Sequence, residues 1–305
     1  GVMLSHDNIL SNVEASAERL PVDATGRCIS FLPLCHIYER MLMYLYLYVG
    51  VSIHFQESMD DLGDRIREVK PEVFTAVPRV LEKVYERIIA KGEEQTGVKR
   101  KLFFWALDLG LRYEVHGRSP WYNMQLAVAR KLVFSKWRAA LGGNVRCVSS
   151  GSAALQPRLA RVFNAAGIPL MEGYGLTETS PVVSVNDARN DGLRFGYVGR
   201  PLKDVQVRIA DDGEILVKGP NVMMGSYLEP ELTRDVLDPD GWFHTGDIGE
   251  VSADGFLRIT DRKKEIFKTS GGKYVAPQVI ENKLKASRFV EQAMVIGENR
   301  KFPAA

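Results

Sequence analysis

Short apolar runs alternate with helix-period patterns along the first half of the chain. "CISFLPL" (28–34), "VSIHF" (51–55), "EVFTAVP" (72–78), "VRCVSSG" (145–151) and "IPLMEGYG" (168–175) have the length and composition of strands. Between the last two, Leu155, Leu159, Val162, Phe163 and Ala166 recur at helical spacing, and Gly167 follows as a stop. This strand–helix–strand rhythm predicts an α/β layer, a mostly parallel sheet covered by helices. Ligands in such sheets sit at the carboxyl ends of the strands, where "SSGSAAL" (149–155) and "GYGLTE" (173–178) both fall.

Residues 79–142 read as a long helical stretch of mixed charge. Its Phe103, Phe104, Trp105, Phe134 and Trp137 have spacings that suit a buried helix face. The run "MLMYLYLYV" (41–49) predicts a buried helix, too short for the roughly 20 residues of a membrane span. After Gly196 the period changes. "VQVRIADDGEILVKG" (205–219) and "IGEVSADGFLRITDR" (248–262) each predict two strands around an Asp-Gly turn. The expected organisation is therefore an α/β part over 1–195 and a β-rich subdomain over 196–262. The start of a small α+β domain follows over 263–305, where Pro277 opens a helix.

Composition narrows the function classes without choosing among them. The 305 residues are 45% hydrophobic and 26% charged, as in an ordinary globular protein. A net charge of +2 with interspersed signs argues against a nucleic-acid partner. Cys28, Cys35 and Cys147 match no zinc spacing and read as reduced thiols of a cytoplasmic protein.

"GYGLTETSP" (173–181), "GWFHTGDIG" (241–249) and "DRKKEIFKTSGGKYVAPQVIE" (261–281) resemble, in that order, the signature motifs of the adenylate-forming enzymes, the acyl/aryl-CoA synthetase and luciferase-like superfamily. "GVMLSHDNI" (1–9) resembles the sequence that follows that family's phosphate-binding loop. "FLPLCHIYER" (31–40), "KPEVFTAVPRVLEKVYERI" (70–88) and "KLFFWAL" (101–107) are similar to the long-chain fatty acyl-CoA synthetase branch. The resemblance implies a two-step reaction. A fatty carboxylate attacks the α-phosphate of ATP, releasing pyrophosphate and forming an acyl-adenylate, and the thiol of CoA then displaces AMP. A long-chain fatty acid, ATP, Mg²⁺ and CoA are the small molecules so implied. A carrier-protein thiol in place of CoA, or a non-catalytic nucleotide- or lipid-binding module, are the alternatives.

An anionic carboxylate must approach a polyanionic triphosphate in this reaction. The resemblance gives Glu178 as the Mg²⁺ ligand, a hard oxygen donor of the kind that ion takes. The Thr177 hydroxyl contacts the α-phosphate or the acyl carbonyl. Tyr174 lays its ring on the adenine, Gly173 and Gly175 admit the nucleotide closely, and Gly151 and Ser152 face the adenine edge. Asp247 accepts from the ribose hydroxyls, Arg262 donates to the ribose or phosphate side, and His36 lines the acyl pocket and helps seat the carboxylate. The neighbourhood Tyr38-Glu39-Arg40 departs from the aromatic gate of some relatives, so no gating role is carried over. Lys264 matches the hinge on which the small domain swings, and Gly271 and Gly272 match the loop turned toward the CoA tunnel.

The same resemblance puts a phosphate loop ahead of Gly1 and an adenylation lysine beyond Ala305. The chain is accordingly expected to be a piece of a longer protein, and slow on its own without that lysine's charge. Long acyl substrates partition into bilayers, so a peripheral membrane contact is expected, although no basic amphipathic helix stands out in the sequence.

Overall fold

The structure is a computed structural model that describes residues 1–305 apart from 190, 271, 272, 286, 288, 291 and 299. A seven-stranded sheet carries the first two-thirds of the chain. Across the sheet its strands run Ser52–Phe55, Arg27–Ser30, Val73–Ala76, Cys147–Ser150, Leu170–Gly175, Val182–Val185 and Arg200–Pro201. The first five are parallel, and the last two join antiparallel. All five sequence-expected strands are present. The antiparallel edge was not anticipated, because Val182–Val185 is a short run behind Pro181 with no turn signal of its own.

Apolar layers cover both faces of this sheet. On one, the helices Gly97–Leu111 and Pro157–Ala165 pack with Phe134, Trp137 and Phe163 against Phe74, Val148 and Leu170. Phe134 and Trp137 meet edge-on with ring centroids 5.0 Å apart, so the expected aromatic face is core. On the other face, the helices His6–Ala17 and Ile37–Val49 bury Val13, Met41, Leu45 and Tyr46 against Cys28, Cys147 and Met171. Burial pushes both of those thiols up to about 12, which leaves them inert.

One expectation needs correction. The helix Ile37–Val49 is buried on one face only, since Leu47 and Tyr48 are exposed. An exposed apolar face flanked by lysines is also present, on a helix that is apolar all round. The helix Pro120–Ala129 continues through a π-helical turn, Arg130–Phe134, and exposes Trp121, Met124, Val128 and Leu132 beside Lys131 and Lys136. The sequence hid this face because the opposite one, with Leu126, Ala129, Val133 and Phe134, is equally apolar.

A four-stranded antiparallel sheet follows, in the order Leu257–Arg262, Phe243–Val251, Glu214–Lys218, Gln206–Ile209. Its two outer pairs are the hairpins read from the Asp-Gly turns, and their register sets Asp247 opposite Arg262. Beyond it lie the short strands Phe267–Lys268 and Tyr274–Val275 and the helix Pro277–Leu284, with Pro277 in its first turn. Among the described residues no helix is long and apolar enough to cross a membrane.

Candidate functional site

The segment from Gly173 to Pro181 leaves one strand and returns antiparallel as the next, so "GYGLTETSP" is the connection of a hairpin at the sheet's carboxyl end. Local chemistry builds its tip. Thr179 is buried, accepts from the Leu176 N–H at 3.0 Å and donates to the Pro181 carbonyl at 2.5 Å, closing the turn Thr177–Thr179. Thr177 is left exposed at the rim. A Cβ on Gly175 would stand 1.8 Å from the Pro181 carbonyl oxygen, so only glycine admits this hairpin. Distant side chains brace the turn: Asn221 donates to the Thr179 carbonyl at 2.9 Å, and Asn12 donates to the Val182 carbonyl at 2.6 Å.

A cavity of about 330 Å³ opens beside this tip. Its polar end is lined by His36, Gly151, Ser152 and Thr177, with Gly173, Tyr174, Gly175 and Arg262 along one wall. The same cavity is lined by the apolar Leu20, Met41, Leu42, Leu45, Met171 and Val182, with Ser16, Arg19 and Asn186 also on its wall. His36 is the residue ahead of the helix Ile37–Val49, exposed where that helix starts. Ser152 holds a left-handed backbone at φ 70°, a strain that a non-glycine residue keeps only where its surroundings impose it. Tyr38 spans the cavity wall, its hydroxyl 2.8 Å from Ser149 Oγ and its ring against Gly151. Behind it, Glu39 is buried and takes hydrogen bonds from Ser30 and Thr75, each at 2.5 Å, which ties the helix start to the sheet.

Asp247 stands behind the cavity wall. Its Oδ2 accepts from the Tyr174 hydroxyl at 2.7 Å and its Oδ1 from Arg262 Nε at 3.0 Å. Its own N–H donates to Thr245 Oγ1 at 3.1 Å. The expected ribose acceptor is thus built into a clamp, with each oxygen already taking one hydrogen bond and keeping a further lone pair. Burial, followed by the adjacent Asp247 charge, raises the Tyr174 phenol far above its ordinary value, so it stays a donor. Arg262 is more than half exposed, and its pair with Asp247 therefore stabilises little; the buried Tyr174 bond sets the carboxylate's position.

The remaining expected residues lie outside the cavity wall. Glu178 is half-buried in the turn, and its carboxylate makes no hydrogen bond to any described residue. No group of three or more His, Cys, Asp or Glu side chains able to hold a metal gathers among the described residues. A Mg²⁺ held at Glu178 would complete its shell with phosphate and water oxygens, which suits that ion. Lys264 is exposed in the turn after the strand Leu257–Arg262. Gly271 and Gly272 lie outside the described residues.

Sequence reasoning missed Glu172. Burial raises this carboxyl to about 8, and its Oε2 has no partner. It lies between the strand Cys147–Ser150 and the glycines of the hairpin, directly before Gly173. A carboxylate preceding a glycine turn reads as solvated, and nothing local marks it as buried.

A parallel α/β sheet whose carboxyl end meets an antiparallel sheet across a Tyr–Asp–Arg clamp defines the class as the adenylate-forming fold. The profile of the family described as AMP-binding enzyme matches residues 1–227, and the chain belongs to that family. It is similar over its whole length to proteins named as long-chain acyl-CoA synthetases. It is 39% identical to the peroxisomal long chain acyl-CoA synthetase 7 of Arabidopsis thaliana, over 98% of this chain and 44% of that protein. It is 38% identical to the long-chain-fatty-acid–CoA ligase FadD15 of Mycobacterium bovis, over 100% of this chain and 51% of that one. The chain therefore spans about half the length of the curated relatives it matches. Among solved structures, o-succinylbenzoate CoA synthetase of Bacillus subtilis in complex with its acyl-adenylate superposes with a TM-score of 0.75 at 22% identity, covering 99% of this chain and 55% of that one. ATP-bound MatB of Rhodopseudomonas palustris gives 0.70 at 26% identity, covering 97% and 52%.

Proposed function

We infer that the full-length protein is an AMP-forming long-chain fatty acid:CoA ligase. One observation carries the reading: a single cavity is lined both by the polar positions His36, Gly151 and Thr177 and by the apolar side chains Met41, Leu42 and Leu45 of the helix Ile37–Val49. A carboxylate head and a hydrocarbon tail need that pairing in one site. The Tyr174–Asp247–Arg262 clamp beside the polar end suits a nucleoside, with the Tyr174 ring toward the base and Asp247 toward the ribose hydroxyls. Gly173 and Gly175 let backbone approach, and Gly151 and Ser152 edge the adenine. The matched relatives, named as acyl-CoA synthetases, support the same activity.

In the first step one carboxylate oxygen bonds to the α-phosphorus while the bond to the pyrophosphate oxygen breaks. His36 seats the carboxylate, and the Thr177 hydroxyl donates to the oxygen on which charge gathers. Glu178 would hold Mg²⁺, which when bound would neutralise charge between the phosphates and the incoming anion. In the second step the CoA sulfur bonds to the acyl carbon and AMP leaves. Lys264 serves as the pivot between the steps, and the loop motif that includes Gly271 and Gly272, which lie outside the described residues, is carried over as the CoA loop from the family resemblance alone. We assign the division 1–195, 196–262 and 263–305 to the α/β part, the β-rich subdomain and the hinged small domain.

All three cysteines are free, which supports a reducing compartment such as the cytoplasm. The exposed face with Trp121 and Met124 beside Lys131 and Lys136 supports a peripheral contact with an anionic membrane surface, where the substrate dissolves. The test is pyrophosphate release and thioester formation by the full-length protein with fatty acid, ATP, Mg²⁺ and CoA. Acyl-CoA formed with wild type, and lowered about a hundredfold or more in Glu178→Ala, supports the reading. Thioester made only on a carrier protein overturns it.

A further inference from the structure

Glu214 opens the strand Glu214–Lys218 and is a buried carboxylate that the site above does not use. Its Oε1 accepts the Gly246 N–H at 2.8 Å. Its Oε2 accepts from the Lys263 ammonium at 2.8 Å and faces His244 Nδ1 at 3.2 Å. Gly246 immediately precedes Asp247, and Lys263 immediately follows Arg262. One side chain thus grips both strands of the clamp, a single residue away from the groups that form it. The Lys263 N–H donates to the Gly246 carbonyl at 2.8 Å and closes the ring. Asp212 gives the same ammonium a second oxygen at 2.6 Å.

Two further features mark this arrangement as a device and not a surface accident. Burial alone raises the Glu214 carboxyl, but the Lys263, Gly246 and His244 bonds outweigh it and hold it below the usual carboxylate range. Gly246 sits at φ 72° with open space around it, where the strand Phe243–Val251 slips register against Glu214–Lys218, so this irregularity needs glycine for conformation and not for fit. A strand irregularity with that freedom settles in one place only if something fixes it. The buried carboxylate does.

We propose that Glu214 is a positioning residue for the nucleotide clamp, fixing through Gly246 and Lys263 the strand positions that carry Asp247 and Arg262. The proposal rests on the nucleotide reading of that clamp. It also bears on the hinge: Lys263 is anchored by two carboxylates, so a rotation starting at Lys264 leaves the clamp undisturbed.

The experiment is calorimetric AMP binding to the full-length protein, with a melting curve on every sample. Glu214→Gln keeps the side chain's size. Lys263→Met breaks the same pairing from its exposed side and carries the test if Glu214→Gln does not fold. Each variant is expected to weaken AMP about tenfold, the scale of one lost charge-assisted hydrogen bond, and Lys263→Arg is expected to restore most of it. Wild-type protein that binds no AMP removes the nucleotide reading itself. AMP bound by wild type and equally well by both variants overturns the positioning role alone, and a lower melting temperature with unchanged AMP affinity does the same.

Discussion

At the scale of single residues, the site separates groups that look alike in sequence. Thr177 and Thr179 are two positions apart, yet one is exposed at the cavity and the other is locked inside the turn it closes. Tyr174 acts at both ends, since its ring lines the cavity while its hydroxyl holds Asp247. Tyr174→Phe keeps the ring and leaves a buried carboxylate oxygen one donor short. Denaturant unfolding should register a loss of about 1–3 kcal/mol. Glu172 gives a pH signature of its own. Its folded-state value of about 8 lies above the ordinary 4.5, so the native state holds a proton that the unfolded chain releases. Stability must therefore fall as pH rises through that window, and Glu172→Gln should flatten the fall in melts taken across it. A wild-type melting temperature that is level over the same range would show that Glu172 ionises normally. None of this was legible in "MEGYG", where the acid stands beside turn residues and only tertiary packing buries it.

At the scale of elements, the hairpin Leu170–Gly175 to Val182–Val185 does most to shape the site. The strand pattern of 168–175 was legible because a buried parallel strand is a plain apolar run. Its antiparallel return was not, since short strands after proline carry little pattern of their own. Gly175→Ala drives a Cβ into the Pro181 carbonyl and should cost about 3 kcal/mol or more, read by urea unfolding. The hairpins at 205–219 and 248–262 were legible for the opposite reason, because Asp-Gly turns and strand alternation are both local signals. Their register is what sets Asp247 against Arg262. Gly246→Ala, at a left-handed position in open space, should cost about 1 kcal/mol and weaken AMP as well, read by melting and calorimetry together.

At the scale of the molecule, two sheets meet so that groups from residues 36, 151, 177 and 262 share one cavity. The order of motifs along the chain made their kinship legible, but their meeting depends on packing that no single segment encodes. The exposed stripe of Trp121 (64% accessible) and Met124 (52%) lies on the sheet face opposite the cavity helices. Trp121→Glu with Met124→Glu should abolish sedimentation with phosphatidylglycerol vesicles while leaving AMP binding intact. Sedimentation unaffected by that pair would remove the membrane contact. The most direct test of the whole account is calorimetric binding of a non-hydrolysable long-chain acyl-AMP analogue, set against AMP alone. The account predicts that the acyl chain adds affinity through the apolar side chains of the cavity, and that Asp247→Ala weakens both ligands alike. An analogue bound no more tightly than AMP, or bound equally well by Asp247→Ala, would contradict a shared site for nucleotide and acyl chain.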